Sequence, residues 1–357
     1  MKDYKLAIVI GRFQPFHNSH LELLQQARSL ADEVLLIIGS YKTAPNVKNP
    51  FACHDRQDMI EHCFKESELW HSTPKMGKVH FEYIRDHFYN DNLWITEVQQ
   101  LANKYSTTGD SVCLVGSYKD GSSYYLNCFP QWDFIPAVNT KQLHSTDIRN
   151  KIYSGDLSWK DDVPPGVAQW IEIDYINRKG GWSDKSMEIE TPFQKHQKEF
   201  EFLQGYKESW KGAPFAPIFT TVDAVVVQNG HVLVIKRKFN PGSGLFALPG
   251  GFLKQNETIN AGVFRELKEE TGIKVPMPIL KSSVEASKVF DYPNRSLRGR
   301  TVTHAYCIRL TGNELPEVKG NDDASGAQWM SFADMHDNED KFYEDHYQMI
   351  QYFINKF

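Results

Sequence analysis

The stretch Gly251-Phe-Leu-Lys-Gln-Asn-Glu257-Thr-Ile-Asn-Ala-Gly-Val-Phe-Arg265-Glu-Leu-Lys-Glu-Glu-Thr-Gly272-Ile273 decides the reading of this chain. Leu248-Pro249-Gly250-Gly251, just before it, reads as a turn. From about Thr258, Ile259, Val263 and Leu267 recur at helical spacing on one buried stripe. Gly272 ends the helix. Glu266 and Glu270 are one turn apart, so both carboxylates leave the same face. Two hard oxygen ligands at that spacing suit Mg²⁺ or Mn²⁺, cations that a diphosphate also binds. Arg265 and Glu269 lie on a neighbouring line and can brace each other. A bare E-x-x-x-E is usually a solvated helix face; the attached loop and glycines separate this stretch from that case.

The chain has 357 residues, for which two domains are the natural expectation. Its 41 % hydrophobic and 24 % charged residues fit a soluble protein with two cores. A net charge of −5 gives no nucleic-acid footprint, so anionic ligands would be held by local basic residues. The five cysteines are scattered without a C-x-x-C, which predicts reduced thiols in a cytoplasmic protein. Residues 6–10 form an apolar run that Gly11-Arg12 ends, too short for a signal peptide or membrane span. A homo-oligomer stays open.

The run at 6–10 reads as a strand buried on both faces. A loop, Gly11-Arg12-Phe13-Gln14-Pro15-Phe16-His17-Asn18-Ser19-His20, leads to a helix at 21–31 and a second buried strand at 33–39. This is a βαβ unit. Further strands are predicted at 80–85, 112–116 and 132–136, and helices at 54–65 and 92–104. Such a sheet binds ligands at the carboxyl ends of its strands. The Gly11–His20 loop sits at such an end. Two imidazoles at a helix N-terminus can donate to a polyphosphate, with the helix dipole adding attraction. Gly11 would let the backbone approach a nucleotide. Ser145 or Thr146 can cap a helix whose N–H groups, with Arg149, would hold phosphates.

The loop resembles the G-x-F-x-P-x-H-x-x-H signature of the nucleotidyltransferase superfamily, with Ser19 where many members have glycine. Leu143-His144-Ser145-Thr146-Asp147-Ile148-Arg149 resembles that superfamily's S-T-x-I-R element. The resemblance implies a Rossmann-like fold and an ATP site. It places Gly11, Arg12, Phe13, His17, His20, Gly116, Ser145, Thr146 and Arg149 on ATP, with His17, His20 and Arg149 catalytic. Gly11-Arg12-Phe13-Gln14-Pro15, Asn49-Pro50-Phe51 with Arg56, and Asn90-Asp91-Asn92-Leu93-Trp94 are similar to nicotinamide-mononucleotide (NMN) adenylyltransferases of archaeal type. By that likeness Asn92 would bond the carboxamide, Trp94 would stack on the pyridinium, and Arg56 would face a phosphate. Core packing in an amphipathic helix is the alternative for Trp94.

The Gly251–Ile273 stretch resembles the Nudix hydrolase box at every defining position. A mixed sheet in an α/β/α sandwich is implied, as is a metal site of Glu266, Glu270 and the Gly250 carbonyl, with Glu269 and Glu270 in catalysis. Around it, residues 219–227 and 232–236 read as a hairpin about Asn229-Gly230. Strands are predicted at 284–289 and 302–310, and Trp329 to Asp334 reads as a strand entering a closing helix. Arg295, Arg298 and Arg300 would meet the phosphates of ADP-ribose or lie in a solvated loop. Asp322 and Asp323, with Glu314 and Glu317 behind them, are candidates to activate water; a solvated acidic loop is the alternative.

The predicted domains are 1–180, a nucleotidyltransferase, and 211–357, a Nudix hydrolase, joined by a linker at 181–210 that includes a polar helix at 191–205. Adenylyltransferase followed by Nudix resembles the bifunctional NMN adenylyltransferase/ADP-ribose pyrophosphatases. The activities implied are NAD and pyrophosphate from ATP and NMN, and AMP and ribose 5-phosphate from ADP-ribose, with Mg²⁺ or Mn²⁺ in both domains. Two alternatives stand: an adenylyltransferase for nicotinate mononucleotide with a Nudix domain for another nucleoside diphosphate, and a non-hydrolysing ADP-ribose sensor. The Asn92-Leu93-Trp94 element argues against a pantetheine-phosphate substrate.

Overall fold

The apolar run near the N-terminus lies in β1, Tyr4–Gly11, where Leu6, Ala7, Ile8 and Val9 are fully buried. A strand with no polar alternation needs cover on both faces. The computed structural model describes residues 2–65, 76–118, 121–138, 143–178, 190–319 and 324–355. After β1 come α1 (Asn18–Leu30), β2 (Ala31–Ile38), α2 (Cys53–Lys65), β3 (Lys78–Tyr83), α3 (Asp91–Ala102), β4 (Val112–Gly116) and β5 (Asp133–Pro136). Among the described residues these strands form one parallel sheet, ordered β3-β2-β1-β4-β5. The direction of strand addition reverses between β1 and β4, where such sheets open a crevice at the strands' carboxyl ends. On one face, Leu6, Ile8, Leu35, Ile37 and Leu114 pack against Val98 and Ala102 of α3 and against Leu126 and Phe129. Two further helices follow, α4 (Ser145–Ser154) and α5 (Pro165–Trp170).

Helix α1 starts three residues before the predicted position, because His17 adopts the extended cap conformation. It passes into β2 without a loop: Ala31 is already extended while its N–H still bonds Ala27 O.

The chain divides into two compact units, Met1–Gln197 and Lys198–Phe357. Helix α6, Pro192–Glu208, runs through that division, inside the segment expected as a linker. Thr191-Pro-Phe-Gln194 starts it reciprocally: Gln194 N–H donates to Thr191 Oγ1 at 3.2 Å, and Thr191 N–H to Gln194 Oε1 at 2.8 Å.

In the second unit, β6 (Phe219–Gln228) and β7 (His231–Arg237) form the expected hairpin, with Asn229 and Gly230 both at positive φ. Then come β8 (Phe246–Ala247), β9 (Gly250–Phe252), α7 (Ile259–Thr271), α8 (Met277–Ser282), β10 (Val284–Phe290), β11 (Thr301–Arg309), β12 (Ala324–Ser331), α9 (Phe332–Asp337) and α10 (His346–Ile354). The main sheet path runs β10-β11-β6-β7-β12, with β8 on β7 and β9 on β6. Strand β11 is parallel to β6 and the other pairs are antiparallel, so the sheet is mixed. Val263, Phe264 and Leu267 of α7 bury against Val222, Ala224 and Val226 of β6. This packing holds the box helix over the strand that carries its glycine loop. Among the described residues no helix is long and apolar enough to cross a membrane.

Candidate active sites

The first site lies where β1 and β2 end. Gly39 N–H donates to Gly11 O at 2.9 Å, locking the two strand ends together. The chain then turns through Arg12–Phe16 into α1. His17, fully buried, stacks on His20 with ring centroids 3.6 Å apart, and its N–H donates to His20 Nδ1 at 3.4 Å. Phe13 meets the His20 ring edge-on at 4.9 Å. Phe13 itself sits at φ 51, and its ring lies 2.7 Å from where a Cβ on Gly11 would be. A side chain at Gly11 would collide with the Phe13 ring, so this packing also requires glycine there. Gly116 is alike: a Cβ there would meet Leu126 at 2.7 Å.

Two buried arginines bind the surrounding loops through carbonyl oxygens. Arg56, 1 % exposed, donates from NH1 to Arg12 O and Gly39 O, both at 2.6 Å, and from Nε to Ala52 O at 3.2 Å. Arg149 donates to Gln14 O at 2.6 Å, Val47 O at 3.1 Å and Thr146 Oγ1 at 3.2 Å. Burial pushes both guanidinium groups down to about 10. Arg56, expected to face a phosphate, spans the ends of β1 and β2. Exposed Arg12 is the basic side chain of this loop that projects outward. His144 occupies the cap position of α4, not Ser145 or Thr146. Ser145 Oγ donates to Pro15 O at 3.3 Å and Thr146 accepts from Arg149, so both hydroxyls tie α4 to the His loop. Gln14 had no role in the sequence reading. Its amide exchanges two bonds with Phe51, at 2.8 and 3.1 Å, and so clips the His loop to Asn49-Pro50-Phe51. A buried Gln flanked by Phe13 and Pro15 was the available signal.

Asn92 is exposed on the first turn of α3, which Asn90 caps by accepting from Leu93 N–H at 3.1 Å. Trp94 is half-buried against Tyr125 and Phe129, with centroids at 5.7 and 6.2 Å. One side of the indole is thus core packing.

The second site is built on β9 and α7. Thr258 caps α7, accepting from Ala261 N–H at 3.2 Å, and Gly272 closes it at φ 52. Gly250 lies opposite Asp223 on β6, and Gly251 opposite Val222. A Cβ on Gly251 would fall 2.6 Å from Glu266 Oε1, and one on Gly250 would collide with Asp223. Gly250 N–H donates to Glu270 Oε2 at 2.8 Å. Both glycines therefore permit two carboxylates to press on the loop backbone. Arg265 does more than meet Glu269: it forks onto Glu257 at 2.8 and 2.5 Å and reaches Glu266 at 2.7 Å and Glu269 at 2.9 Å. Those bonds hold Glu257 down at about 2. Burial pushes Glu270 up to about 8, with the charge of Glu266 adding to the shift, and burial also raises Glu266. Adjacent buried carboxylates that resist ionisation are what a hard divalent cation reverses, so Glu266, Glu270 and the loop fit Mg²⁺ or Mn²⁺.

Asp223, fully enclosed, is raised to about 6 by burial and bonds Thr303 Oγ1 at 2.5 Å. The sequence reading missed it; a charged residue inside an apolar strand was the signal. The three loop arginines separate. Arg295 is a buried strut on Asp345, at 2.9 and 2.7 Å. Arg300 donates to Asp291 O. Arg298 stacks on Phe252, 4.7 Å from the ring centroid, and its buried Nε has no hydrogen-bond partner among the described residues. Asp322 and Asp323 lie outside the described residues. Glu314 and Glu317 are exposed; their carbonyls accept from Gln228 and from Lys274 N–H. Gln228 is five residues along β6 from Asp223, about 16 Å at strand rise, so Glu314 sits toward the far end of the sheet.

The cytidylyltransferase-like family matches residues 8–151 and the NUDIX domain family matches residues 218–353. A bifunctional NMN adenylyltransferase/ADP-ribose pyrophosphatase from Francisella tularensis, crystallised with AMP and a manganese ion, is 34 % identical. That match covers 99 % of each chain at a TM-score of 0.86. This chain belongs to that bifunctional family. The same pairing recurs in separate relatives. A nicotinamide/nicotinic acid mononucleotide adenylyltransferase of Acinetobacter baylyi is 35 % identical over 48 % of this chain and 87 % of its own length. An ADP-ribose pyrophosphatase of Methanocaldococcus jannaschii is 38 % identical over 36 % of this chain and 69 % of its own length. Both halves of this family handle nucleoside phosphates, which agrees with the two sites.

Proposed function

We propose that the chain makes NAD from ATP and NMN in its first unit and cleaves ADP-ribose to AMP and ribose 5-phosphate in its second. The observation that carries this is the end-to-end likeness to a bifunctional enzyme together with two built sites, the His17–His20 stack and the Glu266–Glu270 pair on glycine. In the first unit, an NMN phosphate oxygen attacks the α-phosphorus of ATP in line and the bond to the β-phosphate breaks, releasing pyrophosphate. The protein supplies position and charge rather than a nucleophile. His17 and His20 donate to the triphosphate, Arg12 reaches it from the loop, and Arg149 fixes the loop at Gln14 and the α4 N-terminus. Asn92 and Trp94 hold the nicotinamide.

In the second unit, water adds to a phosphorus of the diphosphate and the P–O–P bridge breaks. Glu266, Glu270 and the Gly250 carbonyl would hold Mg²⁺ or Mn²⁺, which when bound polarises the diphosphate and lowers the pKa of water. Arg265 orients three carboxylates, and Arg298 faces the substrate. Asp322 and Asp323 are our candidates to orient the water, with Glu269 next. Nicotinate mononucleotide is a second acceptor for the first site, because the Acinetobacter relative carries both in its name. One experiment tests the whole: incubate the protein with ATP, Mg²⁺ and either mononucleotide, and separately with ADP-ribose, then chromatograph the products. NAD with pyrophosphate, and AMP with ribose 5-phosphate, are expected; absence of either pair overturns that half.

A further inference from the structure

An aromatic shelf leads away from the carboxylate pair of the second unit. Gly251 touches Glu266, and the next residue, Phe252, is 38 % exposed. Its ring meets Phe219 at 5.8 Å and 71°. Phe219 in turn meets Trp210 at 5.4 Å and 68° and Tyr206 at 5.8 Å. Trp210 is 43 % exposed. Two large rings thus stay open to solvent, Phe252 one residue from Gly251 and Trp210 joined to it through Phe219, where burial would ordinarily be favoured. Arg298 lies on Phe252, fixing that ring by cation–π contact, and its buried Nε–H has no acceptor among the described residues. Gly299 leaves room for Phe219: a Cβ there would stand 3.2 Å from that ring.

We propose that this shelf, Phe252 with Phe219 and Trp210, stacks the purine base of the nucleoside diphosphate whose phosphates lie at Glu266 and Glu270. The proposal rests on the ADP-ribose reading of that site and adds the residues that select a flat base. Phosphate and ribose have no π-face, so the shelf discriminates between the two halves of the substrate. Stacking on an aromatic side chain favours a flat base over a sugar phosphate whatever the base's hydrogen-bonding edge.

The test uses product inhibition of ADP-ribose hydrolysis by the full chain, a readout confined to the second site. Phe252→Leu and Trp210→Leu should each raise the inhibition constant of AMP about tenfold and leave that of ribose 5-phosphate within twofold. Phe252→Tyr, which keeps a ring, should stay within threefold of wild type for both. Unchanged AMP inhibition, or equal loss for both products, overturns the shelf. So does a shifted sedimentation coefficient with AMP inhibition intact, which would mark the rings as a contact with a second copy. The two readings fail separately: a wild-type chain that does not cleave ADP-ribose overturns the hydrolase assignment, and calorimetric titration of ADP-ribose into the same variants then tests the shelf, with unchanged affinity in the Leu variants overturning it.

Discussion

Arg265 grips Glu257 with two parallel bonds, Nε to Oε2 at 2.8 Å and NH2 to Oε1 at 2.5 Å, across eight residues of sequence. The same guanidinium reaches Glu266 and Glu269. It is the counter-charge for three carboxylates, and only a planar fork can serve all three at once. Arg265→Lys should therefore weaken ADP-ribose hydrolysis about 10- to 100-fold, the usual cost of disturbing groups behind a metal ligand. Dinucleotide synthesis should stay within twofold. Measured rates of both reactions over a Mg²⁺ series check this, and the loss should show as a raised Mg²⁺ requirement.

His17→Ala should lower NAD synthesis roughly 10²–10³-fold, as expected when one donor to a transferring phosphoryl group is lost. ADP-ribose hydrolysis should hold within twofold, because the Nudix box lies in the other compact unit. His17 is fully buried against His20, so the variant is first checked by its melting temperature. Parallel loss of both activities in a folded variant would contradict separate sites.

Trp94 has one side packed on Tyr125 and Phe129. Trp94→Ala should thus lower the melting temperature as well as NMN affinity, since truncating a large buried ring costs about 3–5 kcal/mol at the full-burial end. Trp94→Phe keeps most of the packing. It should raise the NMN KM several-fold and leave the ATP KM within twofold. Equal shifts in both constants would leave the indole a core residue.

Much of this was legible in the chain. Long apolar runs such as Leu6–Ile10 have one stable environment, and the box helix has a cap, a stripe and a glycine stop. Loop roles were not legible. Whether Arg56, Arg149 or Arg295 meets a ligand or a carbonyl depends on contacts 17 to 135 residues away, such as Arg56 to Gly39 and Arg149 to Gln14. The glycine at 11 was read as letting the backbone approach a nucleotide; that Phe13, two residues on, turns back over it at a positive φ is something no pattern announces. Thr191-Pro-Phe-Gln194 was a readable helix start inside what otherwise looked like a linker.

His196 gives a pH dependence with a definite sign. It is buried, bonds Tyr175 OH at 2.8 Å, and burial lowers it to about 4 from 6.5. The unfolded chain then binds a proton that the folded chain refuses between those values, so stability falls as pH drops from about 6.5 toward 4. The loss at the acid end is of order 3 kcal/mol from this group. Chemical denaturation at pH 7 and pH 5 measures it, and His196→Gln should flatten the slope. An unchanged slope would assign the acid sensitivity to other groups.

Glu270→Gln isolates charge from shape at the Nudix site. Glu270 belongs to the second unit and accepts from Gly250 N–H at 2.8 Å. The glutamine carbonyl oxygen can keep that bond, so the loop should hold and the melting temperature should change little. What is lost is one of two anionic oxygens for a hard cation, and a neutral amide is a poor substitute. Burial already raises Glu270 to about 8, so near neutrality the native side chain ionises in step with cation binding, a coupling the amide cannot make. ADP-ribose hydrolysis should fall at least 10²-fold while NAD synthesis stays within twofold. Raising Mn²⁺ should recover little, and the Mn²⁺-dependent rise in melting temperature expected of wild type should shrink. Full recovery at high Mn²⁺ would mean that Glu270 tunes affinity and does not take part in the reaction at the phosphorus.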